Sequence, residues 1–175
     1  MTAPATDVRP LGTDPRTFRD ALGRFATGVT VITTDTGNGN GIHGMTANGF
    51  MSVSLDPALV LVSLGRCAMA DHLHSGDRYA VTLLSEDQET LSRHFGGRTQ
   101  PGLSVDFTRR GAHSFVPGGL AEIGCRIVDR HVAGDHVLFI GEVEHLDYRD
   151  GVPLLFYTGN YRSLHVGLTD DIFFY

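Results

Sequence analysis

The sequence has few cysteines, few basic residues and no long apolar run. Cys67 and Cys125 are its only two cysteines and form no CxxC pair, which argues against a zinc knuckle or a disulfide framework and favours a reducing compartment. The 14 Lys and Arg residues against 20 Asp and Glu give a net charge of −6. We therefore expect neither nucleic acid nor an anionic membrane as a partner.

Targeting signals and the common catalytic motifs are also missing. The N-terminus lacks the apolar stretch of a signal peptide, and no segment approaches the roughly 18 apolar residues of a membrane span, so we expect a cytoplasmic protein. GxSxG, HExxH, the P-loop motif and a GxGxxG between strand and helix do not occur. Nine histidines are present, but their spacing predicts no metal site.

Length and composition predict one globular domain. The 175 residues are 41% hydrophobic and include 22 glycines, which suits a compact fold with many tight turns. Residues 1–12 show no hydrophobic periodicity and are predicted to be a flexible tail. The remaining residues, 13–175, are predicted to form the single domain.

Hydrophobic patterning predicts a mainly β protein with peripheral helices. Helices are expected from Pro15 towards Gly28, from Ala68 to His74 and from Glu86 to Phe95, and Arg98–Gly119 is expected to be an extended loop. The strand Leu59–Leu64 is continuously apolar, which predicts that both of its faces are covered. Further strands are expected at Val29–Thr34, His43–Leu55, Tyr79–Leu84, Ala121–Ala133, His136–Tyr148 and Leu154–Tyr157. Hairpin-linked strands favour a small antiparallel barrel.

Polar side chains interrupt the predicted strand that ends at Leu55. Thr46, Asn48, Ser52 and Ser54 lie among apolar neighbours. A half-exposed strand explains this pattern without any function. A flavin site is the alternative, because the ring and its ribityl chain need short donors and acceptors among apolar contacts.

Six separated stretches contain motifs in a fixed order along the chain. They are FRDALGRFATGVTVITT from Phe18, GMTANGF from Gly44, SVSLDP from Ser52 with Leu59 and Val60 beyond it, GDHVLFIGEV from Gly134, PLLFY from Pro153 and GNY from Gly159. Together they resemble the flavin reductase family of two-component monooxygenase systems over Phe18 to Leu164. The resemblance implies an FMN-binding split barrel of the antiparallel Greek-key type that forms a homodimer and uses NADH or NADPH to reduce FMN or FAD for a partner monooxygenase.

The resemblance also implies a set of binding residues. His136 and Tyr161 are expected at the nicotinamide, with turn formation as the alternative role of His136. Arg93 and Phe95 are expected at the distal flavin, or else as a surface charge and a core anchor. The other residues expected at the flavin are Thr46, Ala47, Asn48, Ser52, Val53, Ser54, Ser63, Leu64, Gly65, Cys67 and Ala68.

One departure from the family pattern concerns the phosphate. The family commonly has hydroxyl residues at the start of the helix where this chain has Ala68 and Ala70, which leaves backbone N–H groups and Arg66 to hold a phosphate. We therefore expect loosely held flavin.

No catalytic side chain is expected, because hydride passes directly between the two cofactors. Two other hypotheses are an oxidase that keeps its FMN on the same barrel and a non-catalytic flavin- or haem-binding module. The neutral pocket motifs argue against the first, since a phosphorylated substrate would need basic residues.

Overall fold

The computed structural model describes residues 14–37 and 41–164. The predicted tail at 1–12, residues 13 and 38–40, and the C-terminal residues 165–175 lie outside them. Among the helices of the described residues, none is both long and apolar enough to cross a membrane.

Twelve strands and three α-helices form the described chain. The helices are α1 Pro15–Leu22, α2 Ala68–Ser75 and α3 Glu89–Phe95, with a 3₁₀ turn at Glu86–Gln88. The strands are β1 Thr27–Gly28, β2 Thr30–Asp35, β3 Ile42–Ala47, β4 Phe50–Leu55, β5 Ala58–Gly65, β6 Arg78–Leu83, β7 Thr108–Arg110, β8 His113–Phe115, β9 Ala121–Ala133, β10 His136–Tyr148, β11 Leu154–Tyr157 and β12 Asn160–Ser163.

A seven-stranded antiparallel sheet forms the body of the molecule, in the order β3-β2-β6-β9-β10-β5-β4. Its two edge strands, β3 and β4, are neighbours in sequence and are joined only by Asn48 and Gly49. The sheet therefore curls until its edges meet, which makes a barrel with one seam. The predicted mainly β barrel with peripheral helices is confirmed.

Two cores lie on opposite faces of β2. Ile32 faces the barrel interior with Val62, Leu64, Tyr79, Val81 and Phe139. Val31 faces outward and packs with Leu84, Val116 and Leu154. Helix α2 contributes Met69 and Leu73 to the interior core. This explains why the β-branched run at the start of β2 is buried throughout.

The predicted continuous strand His43–Leu55 is wrong, because the chain changes sheet edge at Asn48-Gly49. Gly49 accepts a hydrogen bond from Ser63 N over 2.7 Å. A Cβ at residue 49 would lie 2.9 Å from the Ser63 carbonyl oxygen, so this crossing requires glycine.

Three further predictions are corrected. The predicted loop Arg98–Gly119 contains the hairpin β7–β8, whose three-residue strands are too short to show periodicity. The predicted helix Glu86–Phe95 begins with a 3₁₀ turn, although the predicted cap Ser85 does form a capping box with Gln88. In β5 one face is fully buried within the described chain, at Val60, Val62 and Leu64, whereas Leu59 and Leu61 on the other face are half-buried.

Candidate functional site

Three clefts lie side by side along the seam and the adjoining helix ends. We call them the α3 cleft, the α2 cleft and the α1 cleft, with volumes of about 610, 520 and 790 Å³. Cys67 and Ala68 line both the α3 and the α2 cleft, and His136 lines both the α2 and the α1 cleft. The three therefore form one continuous surface, and each lies within the size range of ligand pockets.

The α3 cleft is formed where α3 crosses strand β3. Gly44 makes this possible, since a Cβ there would lie 2.6 Å from the ring of Phe95. The Phe95 ring is half-buried and also packs against Phe107 at 6.1 Å between centroids. Phe95 therefore packs against a core and also lines the cleft, while its contact with a flavin stays a prediction.

Thr46 also lines the α3 cleft, and its hydroxyl is directed at α3. It donates to the Ser92 carbonyl oxygen over 2.7 Å. The hydroxyl of Ser92, which is fully buried, is hydrogen bonded to the hydroxyl of Tyr161 over 2.8 Å. Ser92 thus connects a residue expected at the flavin with one expected at the nicotinamide.

The α2 cleft is formed by the end of β5, the start of α2 and the hairpin that leads into β10. His136 and Gly65 are register partners, and the imidazole lies over the glycine, with ring atoms 3.5 Å from where a Cβ would stand. The Nδ1–H of His136 donates to Asp135 Oδ1 over 2.8 Å, which leaves Nε2 free for another partner. This bond and the charges of His136 and Arg66 lower the pKa of Asp135.

The start of α2 offers backbone donors to the same cleft. Cys67 is the N-cap and its side chain makes no capping hydrogen bond, so the first N–H groups of the helix have no side-chain acceptor. Arg66 lines the cleft beside them, with Asp71 and Asp135 as the acidic members of the lining. Ala68 is exposed and Ala70 is buried.

The α1 cleft extends the surface beyond His136. Its lining includes Asn48 at the seam, Phe156 of β11 and the side chains of α1. Phe156 makes an edge contact with Tyr161 at 5.5 Å between ring centroids. Tyr161 therefore stands behind the wall of this cleft.

The structure brings together eight of the predicted residues in these clefts: Thr46, Asn48, Leu64, Gly65, Cys67, Ala68, Phe95 and His136. Ala47 and Ser63 flank the seam without lining a cleft, and Ala47 packs against the interior core. Arg93 is ion-paired with Glu89 over 2.6 Å and stacks 4.9 Å from the centroid of the Tyr161 ring.

Ser52, Val53 and Ser54 line none of the three clefts. A β-bulge at Val53 pairs Ser52 with Val60 and Ser54 with Leu59. Adjacent residues of β5 face opposite sides of the sheet, so the two serines do as well, although a regular strand would place them on one face. Their expected place at the flavin stays a prediction.

Sequence reasoning missed several residues that line the clefts. His43 and His94 border the α3 cleft, and His43 contacts His72 of α2 at 5.0 Å between ring centroids. Burial lowers the pKa of His43, and the nearby His72 lowers it further. The α1 side chains were missed because their apolar spacing predicts a helix and does not indicate what the helix contacts.

The Cys125 thiol and the Tyr79 hydroxyl lie away from the clefts. Burial raises the pKa of the Cys125 thiol to about 12 and, together with Cys125, raises that of the Tyr79 hydroxyl. Both side chains are fully buried in the barrel core and are therefore unreactive at neutral pH. Within the described part of the chain, no three His, Cys, Asp or Glu residues are grouped to hold a metal ion.

Comparison with known proteins gives consistent matches. Residues 22–165 match the family model described as flavin reductase like domain. The chain is 45% identical over 168 residues to an NADH-dependent flavin reductase of a Rhodococcus species, with 95% of each chain covered. It is 38% identical over 149 residues to the reductase component of 4-hydroxyphenylacetate 3-monooxygenase from Thermus thermophilus, covering 84% of this chain and 95% of that one. The solved structure of the flavin reductase PheA2 in its native state superposes with a TM-score of 0.84 at 46% identity, covering 88% of this chain and all of the other.

Proposed function

Because this chain belongs to the flavin reductase family, we propose that the three clefts are where it transfers hydride from NADH or NADPH to FMN or FAD. The chain is an oxidoreductase and a flavin reductase of the two-component monooxygenase type, whose role is to supply reduced flavin to a monooxygenase component. The observation that carries the assignment to the clefts is their continuity through His136 and the start of α2.

The residues that line the clefts fit a flavin. Gly44 and Gly65 keep the surface free of side chains at two points where an aromatic or imidazole ring lies against the backbone. The uncapped N–H groups of α2 and the guanidinium of Arg66 supply donors for a phosphate in place of the missing hydroxyls. Thr46, Cys67, Ala68 and Phe95 supply the mixed apolar and polar wall that an isoalloxazine ring needs.

Bound flavin supplies a two-electron acceptor for hydride, so the chain itself needs no acid–base pair. The work of the side chains is positioning. Phe95 and the backbone at Gly65 limit where a flat ring can lie, and the free Nε2 of His136 offers a hydrogen bond to the nicotinamide carboxamide. The side chains of Ala47, Ser52, Val53, Ser54, Ser63, Arg93 and Tyr161 are proposed as more distant contributors, and a partner subunit could bring β4 to the site.

We also propose a domain organisation, an oligomeric state and a cellular compartment. Residues 13–175 are proposed to act as one domain, and two copies are proposed to associate through the outward face of β4 and β5, where Met51 is exposed and Leu61 is half-buried. The cytoplasm is the proposed compartment, because both cysteines of the described chain are free thiols and the proposed substrates, a nicotinamide dinucleotide and a flavin nucleotide, are intracellular metabolites.

A turnover assay tests the proposed function. Purified protein is mixed with NADH or NADPH and a large excess of free FMN or FAD without oxygen, and flavin absorbance is followed. A flavin reductase bleaches many equivalents of flavin per protein molecule. Bleaching of one equivalent would indicate an oxidase with resident FMN, and no bleaching would indicate a binding module.

Flavin retention tests the phosphate contacts. The N–H groups of α2 and Arg66 hold the phosphate without hydroxyls, so we expect flavin to be lost on gel filtration and Ala68→Ser to raise the affinity measured by fluorescence. Stoichiometric flavin retained by the unaltered protein after extended dialysis would contradict this expectation.

A further inference from the structure

Helix α1 presents an exposed apolar face. No residue of α1 is buried, and Phe18, Leu22 and the following Phe25 are 49%, 59% and 75% exposed. We call these three side chains the α1 face. Exposed apolar patches of this kind mark binding surfaces in soluble proteins. Residues 14–37 and 41–164 therefore leave the α1 face open to a further segment.

The helix is held against the barrel despite this exposure. Thr158 N donates to the carbonyl oxygen of Gly23, the C-cap of α1, over 2.9 Å. Asp14 caps the other end of the helix by accepting a hydrogen bond from Thr17 N. The α1 face therefore has a fixed position beside the turn that joins β11 and β12.

Two arginines add positive charge next to the α1 face. Arg19 and Arg24 line the same cleft as its three side chains, and neither arginine forms an ion pair with a residue of the described chain. Asp20 is the one acidic residue in that lining. The surface is therefore complementary to a segment that carries both carboxylates and aromatic side chains.

Residues 165–175 of the same chain have this composition. The segment reads HVGLTDDIFFY, in which Asp170 and Asp171 directly precede an apolar and aromatic run. Residues 1–13 lie next to α1 in sequence as well, but they contain one acidic residue and no aromatic residue. Of the two segments outside the described ends of the chain, 165–175 is therefore the complementary one.

The segment is long enough to reach the α1 face. It follows β12, which pairs with β11 from the turn at Thr158-Gly159 to the pair Leu154 and Ser163. The turn contacts α1, so the segment starts about five strand residues, or roughly 17 Å, from the helix. The stretch from His165 to Ile172 spans up to about 26 Å when extended. The aromatic side chains beyond it can therefore lie on the α1 face.

We propose that residues 165–175 dock on the α1 face of their own chain. The aromatic run packs on the three apolar side chains of the face, and Asp170 and Asp171 pair with Arg19 and Arg24. The docked segment forms the outer wall of the α1 cleft. Because the family model matches residues 22–165, this contact joins two parts of the chain that lie mostly outside the matched region.

A single fluorophore in the full-length chain tests the proposal, because the sequence contains no tryptophan. Phe174→Trp places one indole in the segment. We expect acrylamide to quench this indole about threefold less efficiently than free tryptophan, since a docked ring is shielded from water. In this background Leu22→Asp should raise the quenching about threefold and shift the emission to longer wavelength, because a carboxylate opposes apolar packing.

Matched variants separate docking from general effects of substitution. Leu146→Asp alters a side chain that is 63% exposed on β10 and should leave the quenching unchanged. Arg19→Gln and Arg24→Gln keep the apolar side chains and should each raise the quenching, whereas Arg16→Gln, on the same helix but outside the cleft lining, should not. The arginine variants keep the test valid if Leu22→Asp unfolds the helix.

The fluorescence is measured without hydride transfer, so its outcome is independent of the proposed reductase activity. An indole quenched as efficiently as free tryptophan would overturn the proposal, as would equal responses to Leu22→Asp and Leu146→Asp. Shielding that is lost on dilution would overturn docking within one chain, because the segment would then bind a second copy.

Discussion

The His136 side chain is fixed by Asp135 and Gly65 and is exposed to the clefts. Its Nδ1–H is bonded to Asp135 and its ring covers Gly65, while the α2 and α1 clefts meet at its exposed edge. A side chain that only closed a turn would not need to border both clefts. We therefore propose His136 as a positioning residue for the nicotinamide.

Replacement of His136 by alanine should therefore affect the dinucleotide selectively. We expect His136→Ala to raise the KM for NADH about tenfold, with little change in flavin affinity or Tm, because a hydrogen bond to substrate is lost while the strands that hold the turn remain. His131→Ala, an exposed histidine on the neighbouring strand, is the control. A lowered Tm with an unchanged KM would instead assign His136 to the turn.

Gly44 sets the depth of the α3 cleft. A methyl group on this residue would lie 2.6 Å from the Phe95 ring, so the ring must move. We expect Gly44→Ala to weaken flavin binding at least fivefold by fluorescence titration and to lower Tm by a few degrees, in line with overpacking costs of about 1–3 kcal/mol. Gly28→Ala is the matched control, since a Cβ there meets nothing within 4 Å. Equal effects of the two substitutions would refute the role given to Gly44.

At the scale of secondary-structure elements, we expect the contact between β3 and α2 to be sensitive to pH. His43 of β3 faces His72 of α2, pairs in register with Thr34 of β2 and shares a cleft with His94 of α3. Its pKa is lowered from the ordinary value of 6.5 by burial and then by His72. The unfolded chain therefore binds more protons than the folded chain as the pH falls below about 6.5, and the fold is destabilised in that range.

We accordingly expect the fall in Tm between pH 8 and pH 5.5 to be smaller in His43→Gln than in the unaltered protein. Because the change in Tm with pH is compared, an effect of the substitution on Tm that is the same at both pH values cancels. His131→Gln, with its side chain exposed, should retain the original pH dependence. If Tm falls as much in His43→Gln as in the unaltered protein, another titrating group causes the loss of stability at acid pH.

The elements also show where sequence reasoning works and where it fails. Long strands such as β9 and β10 were predictable because their patterns repeat over 13 residues each and a Gly-Asp turn separates them. The break at Asn48-Gly49 was not, because it depends on a carbonyl of β5 that is distant in sequence. The opposite orientation of Ser52 and Ser54 was not predictable either. A single bulge reverses the alternation of side chains between the two faces of the sheet, and the sequence pattern does not indicate the bulge.

At the scale of the whole molecule, the barrel leaves one apolar face uncovered. Register places Met51 opposite Leu61, so both side chains belong to the outward face of β4 and β5, and Leu59 is on that face as well. Met51 is 57% exposed and β4 is an edge strand with no neighbour on its other side within the described chain. An exposed edge strand with an apolar face tends to associate with another chain.

We therefore expect light scattering at micromolar concentration to give twice the chain mass of 18.9 kDa for the unaltered protein. Met51→Asp and Leu61→Asp should each shift the mass towards 18.9 kDa, because a carboxylate buried without a partner opposes the apolar contact. Leu146→Asp provides the control, since Leu146 is 63% exposed on β10, away from this face. A monomeric unaltered protein would exclude the dimer, and dissociation by Leu146→Asp alone would move the interface to another face of the barrel.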